Sequence, residues 1–326
     1  MPELSIITQV KNAGRFIDDC IESGIRQGYD DWEWIWVNDH SDDDTEDKLT
    51  RWTQLDPRIK LLQNSKKGII PALEKALKSA KGKLITRMDA DDLMPDGRLQ
   101  TMSNAAIREG LETVITGQVI YFGERDVSEG YRKYESWLNN VQIFQTHYQN
   151  IYRECVVASP NWMMHTEKLK EIRGFSKLKY PEDYDLVFRW YANDLKIKAL
   201  KDVTLMWREH SARTSRTSDN YNQEAFFNLK INRFLELDAG RNPLCLWGTG
   251  RKADLVCKVL RKKRKNFLHM DYRSDKDKRL VHFEETAKLE NPKILVAVYP
   301  PEKQLESIRQ YLAMLKLYEG KNYWIL

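Results

Sequence analysis

The chain has 326 residues, with 53 Lys and Arg against 48 Asp and Glu, for a net charge of +5. That length can bury one large core or two smaller ones. The interspersed charges argue against the one-sided basic surface of a nucleic-acid binder, so no nucleic acid is expected as a partner. Cys20, Cys155, Cys245 and Cys257 are scattered with no CxxC pair, which argues against a disulfide framework or a zinc site and suits a reducing compartment. No basic-then-apolar leader opens the chain, and no apolar stretch approaches the length of a membrane span. A soluble, cytoplasmic protein is expected.

From residue 1 to about 110, strand and helix patterns alternate. Residues 4–10, 34–37, 59–63 and 84–88 read as strands. Residues 16–27 read as a helix with Ile17, Cys20, Ile21 and Ile25 inward, and residues 71–80 as another with Leu73 and Leu77 on one face. Strands spaced by helices imply a mainly parallel sheet with right-handed crossovers. Beyond residue 111 the pattern loosens. Val114, Ile115 and residues 119–121 look like strand, whereas Trp137, Phe144, Tyr148 and Tyr152 lie in a polar, aromatic-rich stretch without clear period. Pro181 opens a strong helix with Tyr184, Val187, Phe188 and Tyr191 on an apolar face.

Residues 221–238 read as a helix that Gly240-Arg241-Asn242-Pro243 breaks. A second α/β pattern follows: strands at 244–247, 267–270, 294–298 and 323–326, and a helix to about residue 260. The expected domains are residues 1–220, a connecting helix at 221–240, and a small Rossmann-like α/β domain at 241–326. The run Arg261-Lys262-Lys263-Arg264-Lys265 suits a solvated helix end; its alternative is an anionic membrane surface or acidic partner, which would make the protein peripheral to a membrane.

The chemistry concentrates in Arg87-Met88-Asp89-Ala90-Asp91-Asp92, at the exit of the fourth strand. Open α/β folds keep ligands at that edge of the sheet. Carboxylates this close repel unless a cation lies between them, and Mg2+ or Mn2+ takes oxygen ligands that it often shares with a diphosphate. The plain alternative is a helix N-cap with an acidic first turn. Glu182-Asp183, just after Pro181, likewise suits a helix start, where acids favour the dipole.

Taken in order, these segments resemble the family 2 glycosyltransferases, which have the GT-A fold, over roughly the first 220 residues. Residues 5–12 (Ser-Ile-Ile-Thr-Gln-Val-Lys-Asn) stand where the family has an apolar strand ending in a Pro-Val-Tyr-Asn-like turn. Val37-Asn38-Asp39-His40-Ser41 stands for Val-Asp-Asp-Gly-Ser, and residues 67–73 match a donor-side loop. The DxD motif falls at Asp89 to Asp91, the acidic pair at Glu182-Asp183, and a late His/Ser segment at residues 208–215. Gln9, Lys11 and His40 depart from the usual Pro, aromatic and Gly.

The resemblance implies a metal-dependent, inverting transfer of a sugar from a nucleoside-diphosphate donor, most readily a UDP-sugar, to an acceptor hydroxyl. It implies that Asp91, with Asp89 or Asp92, holds Mn2+ or Mg2+, with His210 as a further metal or diphosphate contact. It places Thr8 and Asp39 on the donor side, with Asp39 near the base or ribose. Arg87 either touches base or phosphate or pairs with a nearby Asp. Asp183 is implied as the general base, with Glu182 beside it on the acceptor side. A saccharide or lipid-linked acceptor, in surface polysaccharide or glycolipid synthesis, follows from the same resemblance.

Gly248-Thr249-Gly250-Arg251-Lys252-Ala253 forms a GxGxxA turn between a strand and a helix, and Asp271 ends a later strand where a ribose-binding acid would sit. This admits an NAD-dependent oxidoreductase as a rival, although the domain is only half a dinucleotide fold. A non-catalytic sugar-nucleotide-binding scaffold is a second rival, which the intact Asp91 and Asp183 disfavour. A nucleotidyltransferase is weaker still, because no Gly-rich, Arg-containing loop follows the first strand.

Overall fold

The computed structural model describes residues 2–272, 280–298 and 302–326. Contacts divide the chain into two compact units. One comprises Met1–His147 and Val156–Arg213, the other Tyr148–Cys155 and Thr214–Leu326.

The first unit runs β1 (Leu4–Val10), α1 (Gly14–Ile25), β2 (Trp32–Asn38), α2 (Thr45–Leu55), β3 (Ile59–Gln63), α3 (Ile69–Ser79), β4 (Leu84–Arg87), α4 (Arg98–Glu109), β5 (Thr113–Phe122), α5 (Glu129–Phe144), β6 (Met163–His165), α6 (Thr166–Glu171), α7 (Glu182–Ala192) and β7 (Lys196–Arg208). The seven strands lie in the order β3-β2-β1-β4-β6-β5-β7. β1 pairs in parallel with both β2 and β4, and β2 in parallel with β3. β6 is antiparallel to β4 and β5, and β7 closes the edge parallel to β5.

Every residue of β2 is buried, as a strand covered on both faces requires. Its Trp34 and Trp36 rings stack with centroids 5.1 Å apart. The two short strands expected around 114–121 are one strand, β5. Of the aromatic-rich stretch, Trp137 and Phe144 lie in α5, whose Tyr134 and Trp137 pack against the core while Phe144 is exposed, and Tyr148 and Tyr152 follow that helix. β7 had no strand signal, because Lys196, Lys198, Lys201 and Asp202 interrupt its apolar positions. It is an edge strand, where charge is tolerated and discourages pairing with other chains. The parallel strands β1, β2 and β4 all end at one edge of the sheet, so the loops after Val10, Asn38 and Arg87 share that edge.

The second unit contains α8 (Thr214–Thr217), α9 (Gln223–Leu237), β8 (Leu244–Trp247), α10 (Arg251–Lys262), β9 (Leu268–Asp271), β10 (Val281–His282), β11 (Lys293–Val296), α11 (Glu302–Met314) and β12 (Tyr323–Ile325). Its strands form an all-parallel sheet in the order β10-β9-β8-β11-β12. Tyr152, from the segment the chain contributes early, meets Phe234 and Trp324 edge-on at 5.4 and 5.9 Å and donates its hydroxyl to Asp238. Residues 261–265 close α10 with all five cationic side chains exposed. Among the described residues, no helix is long and apolar enough to cross a membrane.

Candidate active site

The acidic loop after β4 is strapped in place from both sides. Met88 N–H donates to Ile7 of β1, and Leu93 exchanges backbone hydrogen bonds with Met206 of β7. Arg208, at the end of β7, donates its N–H to Asp92 Oδ1 at 2.8 Å and its Nε–H to the Asp91 carbonyl at 2.7 Å. Its Nη2 reaches Asp19 of α1 at 3.0 Å. One residue therefore fixes the loop backbone and buries Asp92.

The three carboxylates face different surroundings. Asp91 Oδ2 lies 2.8 Å from His210 Nε2, and the Asp91 side chain keeps 25% of its surface open. Burial pushes its pKa upward, but the His210 hydrogen bond and the charge of Arg213 outweigh that and hold it below the ordinary value. Asp89 is raised, by burial first and partly by Asp91, against the opposing charge of Arg87. Asp92 is raised well above its ordinary value by burial and then by Asp91 and Asp89, and its Oδ2 is buried without a hydrogen-bond partner among the described residues. The strain of clustering thus falls mainly on Asp92, which faces inward, and Asp91 is the carboxylate kept ionised.

Arg87 joins this loop to the acidic pair. The guanidinium is almost wholly buried; Nε donates to Asp89 Oδ1 at 2.8 Å and Nη1 to Glu182 Oε1 at 3.1 Å. Of the sequence alternatives for Arg87, pairing with a nearby Asp is therefore present. Glu182 is buried beneath Asp183 at the start of α7, after the cis Tyr180–Pro181 bond. Asp183 Oδ1 accepts from Tyr184 N–H at 2.7 Å. Burial and then the Glu182 charge push the Asp183 pKa up to about 7, against the opposing charge of Arg87. A carboxylate poised there can take a proton near neutral pH.

Asp39 directly follows β2 and is buried. Its Oδ1 accepts from Asn64 at 2.7 Å, and both oxygens accept from Gly68 N–H at 2.9 Å. It therefore holds the loop between β3 and α3. His40, where the resemblance has Gly, takes a φ of 58°, the left-handed conformation that Gly adopts most readily. Thr8 is fully buried; its hydroxyl donates to the Met88 carbonyl at 2.7 Å and accepts from Trp34 Nε1 at 2.9 Å. The hydroxyl is thus used inside the protein, supporting the acidic loop from below. Asp39, Arg87, Asp89, Asp91, Glu182, Asp183 and His210 all belong to the first unit. The side chain of Ser215 lies outside the described residues.

Sequence reasoning passed over three contributors. Arg15 contacts His210 and Asn64 contacts Asp39. Arg98 lies fully buried, with Nη2 donating to Pro160 O at 2.6 Å. Burial pushes its pKa down to about 10, while Asp92 opposes the shift. One signal existed: Arg98 shares the spacing of Met102 and Ala106 on the inward face of α4. A cavity of about 640 Å³ in the same unit is lined by Glu3, Lys83, Leu84 and His165, at the opposite, N-terminal edge of the strands. The converging carboxylates, rather than that cavity, mark the candidate site.

This arrangement is the α/β architecture of the GT-A glycosyltransferases. The structure of S. aureus TarS (residues 1–349, with UDP-GlcNAc) superposes with a TM-score of 0.55 at 18% identity, covering 88% of this chain and 78% of that one. The mannosyltransferase PcManGT of Pyrobaculum calidifontis, in complex with GDP-Man and Mn2+, gives 0.52 at 18% identity over 79% and 69% of the two chains. By sequence, glycosyltransferase GlyG of Streptococcus pneumoniae is 23% identical over 66% of this chain and 73% of its own length. The O-antigen biosynthesis glycosyltransferase WbnJ of Escherichia coli is 26% identical over 70% of this chain and 87% of its own. Other curated relatives are spanned over as little as 26% of their length. The glycosyl transferase family 2 profile matches residues 5–173, and the chain belongs to that family. It is a glycosyltransferase.

Proposed function

We propose that the first unit transfers a sugar from a nucleoside-diphosphate donor, most readily a UDP-sugar, to an acceptor hydroxyl with inversion and with the help of Mn2+ or Mg2+. The observation that carries this reading is Arg87: one buried guanidinium holds both Asp89 of the acidic loop and Glu182, the neighbour of Asp183. Donor-side and acceptor-side carboxylates thereby belong to one site.

The residues present suit a hard divalent ion. Asp91 Oδ2 and His210 Nε2 converge within 2.8 Å, a carboxylate oxygen and an imidazole nitrogen. Among the described residues, no cluster of three or more such ligands forms. Two protein ligands, with Asp89 nearby, leave room for diphosphate oxygens and water, the usual manner of holding these ions at nucleotide sites. The bound ion would neutralise the diphosphate as it departs.

Asp183 then takes the proton of the acceptor hydroxyl. That oxygen attacks the anomeric carbon from the face opposite the diphosphate, and the carbon–oxygen bond to the diphosphate breaks with its electron pair leaving on phosphate. Arg87 keeps Glu182 and Asp89 from repelling each other during this step. Asp39 fixes the loop at residues 64–68 on the donor side.

The acceptor we favour is a saccharide or a lipid-linked one, in surface polysaccharide or glycolipid synthesis; the similarity to the O-antigen biosynthesis glycosyltransferase WbnJ supports this. The exposed cations at 261–265 offer contact with an anionic membrane surface. A screen of nucleotide sugars with Mn2+, reading slow nucleoside-diphosphate release, tests the reading. Release should stop on chelation, and Asp91→Asn should weaken donor binding roughly ten- to a hundredfold. Full release in excess chelator would sink the metal's part.

A further inference from the structure

Arg15 stands in the first turn of α1, and its side chain reaches the outer end of the site. Its Nη2 lies 3.2 Å from His210 Nδ1, while His210 Nε2 lies 2.8 Å from Asp91 Oδ2. Phe16 steadies both groups: the Arg15 guanidinium is 4.3 Å from the Phe16 ring centroid, and the His210 ring 4.6 Å. A guanidinium can only donate. His210 Nδ1 must therefore accept, and the single proton of the neutral imidazole sits on Nε2, facing Asp91. A ring nitrogen that carries a proton has no lone pair for a cation.

On the metal reading above, we propose that Arg15 is a positioning residue that holds His210 in its Nε2–H tautomer, so that His210 joins Asp91 as a ligand only when Arg15 lets go. The exchange balances. Nε2 gives up its proton to solvent and turns its lone pair to the cation. Nδ1 takes a proton from solvent, and the guanidinium, now facing an N–H, turns its donors to water. Arg15 is exposed, so this rotation is open to it. The cation site is thus withheld in the resting protein, and its affinity is set partly by a residue that never touches the ion.

The test uses the full-length protein, 15N NMR of the histidine rings without metal, and titration with Mn2+ alone followed by the EPR signal of the free ion. Wild type should show the Nε2–H tautomer at His210. Arg15→Met should lose that preference and bind Mn2+ roughly three- to tenfold more tightly, the worth of one hydrogen bond that no longer has to break. Arg15→Lys, which still donates, should stay near wild type. An Nδ1–H tautomer in wild type overturns the proposal. So does unchanged Mn2+ affinity in Arg15→Met when His210→Ala weakens it. If His210→Ala leaves Mn2+ affinity unchanged, the ligand role of His210 fails and the proposal falls with it, whatever the tautomer.

Discussion

Asp183 has a measurable cost that separates chemistry from architecture. Its pKa, pushed up to about 7, means that the folded protein favours the protonated carboxyl while the unfolded chain ionises near the ordinary value of 3.8. Its contribution to stability is therefore full below about pH 4 and is lost as pH rises through about 7. Asp183→Asn removes this dependence. The variant should melt at least as high as wild type at pH 8, and its advantage should shrink as pH falls from 7 toward 4. Transfer should meanwhile drop by roughly two to four orders of magnitude, the usual worth of a general base. Wild-type kcat should rise with pH through about 7, because the ionised form is the base. Near-normal turnover by Asp183→Asn would assign the base elsewhere. The acidic residues were legible because each sits within a few positions of a strand exit or a helix start. Arg15, Asn64 and Arg98 were not, because what they do depends on partners 195, 25 and 62 residues away.

The loop between β3 and α3 shows how an element boundary is written into one residue. Gly68 takes φ 127° and ψ 155°, a region that is essentially closed to residues with a Cβ. That conformation turns its N–H onto both Asp39 oxygens. Gly68→Ala should therefore lower stability by about 1–3 kcal/mol in urea unfolding. Gly130 is the control: it lies in α5, φ is ordinary, and nothing lies closer than 4.0 Å to an added Cβ. Gly130→Ala should be neutral or stabilising by up to about 1 kcal/mol. Equal losses in both variants would show that Gly68 is not conformationally required. At this scale β1 and β3 were readable to the residue from their apolar runs. β7 was not, since an edge strand can carry charges that erase its alternation. Nor was β6, whose 3 residues are too few to show a period.

The division of labour between the two units is the largest-scale question. In the second sheet β8 is central, flanked by β9 and β11, and the order matches five of the six strands of a dinucleotide-binding fold. Our proposal of a small Rossmann-like unit rests on that order. The glycine turn, however, has an internal reason at its first position: a Cβ on Gly248 would come within 2.6 Å of the Ala297 carbonyl. Thr249 Oγ1 donates to Asp271 Oδ2 at 3.4 Å, so the acid at the end of β9 already has a partner within the unit. Every carboxylate assigned to transfer lies in the first unit. The double variant Thr249→Ala, Asp271→Asn should therefore keep donor hydrolysis within about twofold of wild type, with its metal requirement unchanged, since neither side chain is asked to act in the transition state. Full-length protein is the right material, because Tyr152 packs on Trp324 and a truncation near residue 240 would strip that contact from within the first half of the sequence. A loss of about tenfold or more in the double variant at unchanged melting temperature, or NAD retained in equimolar amount by the purified chain and released by the same substitutions, would move part of the chemistry into the second unit.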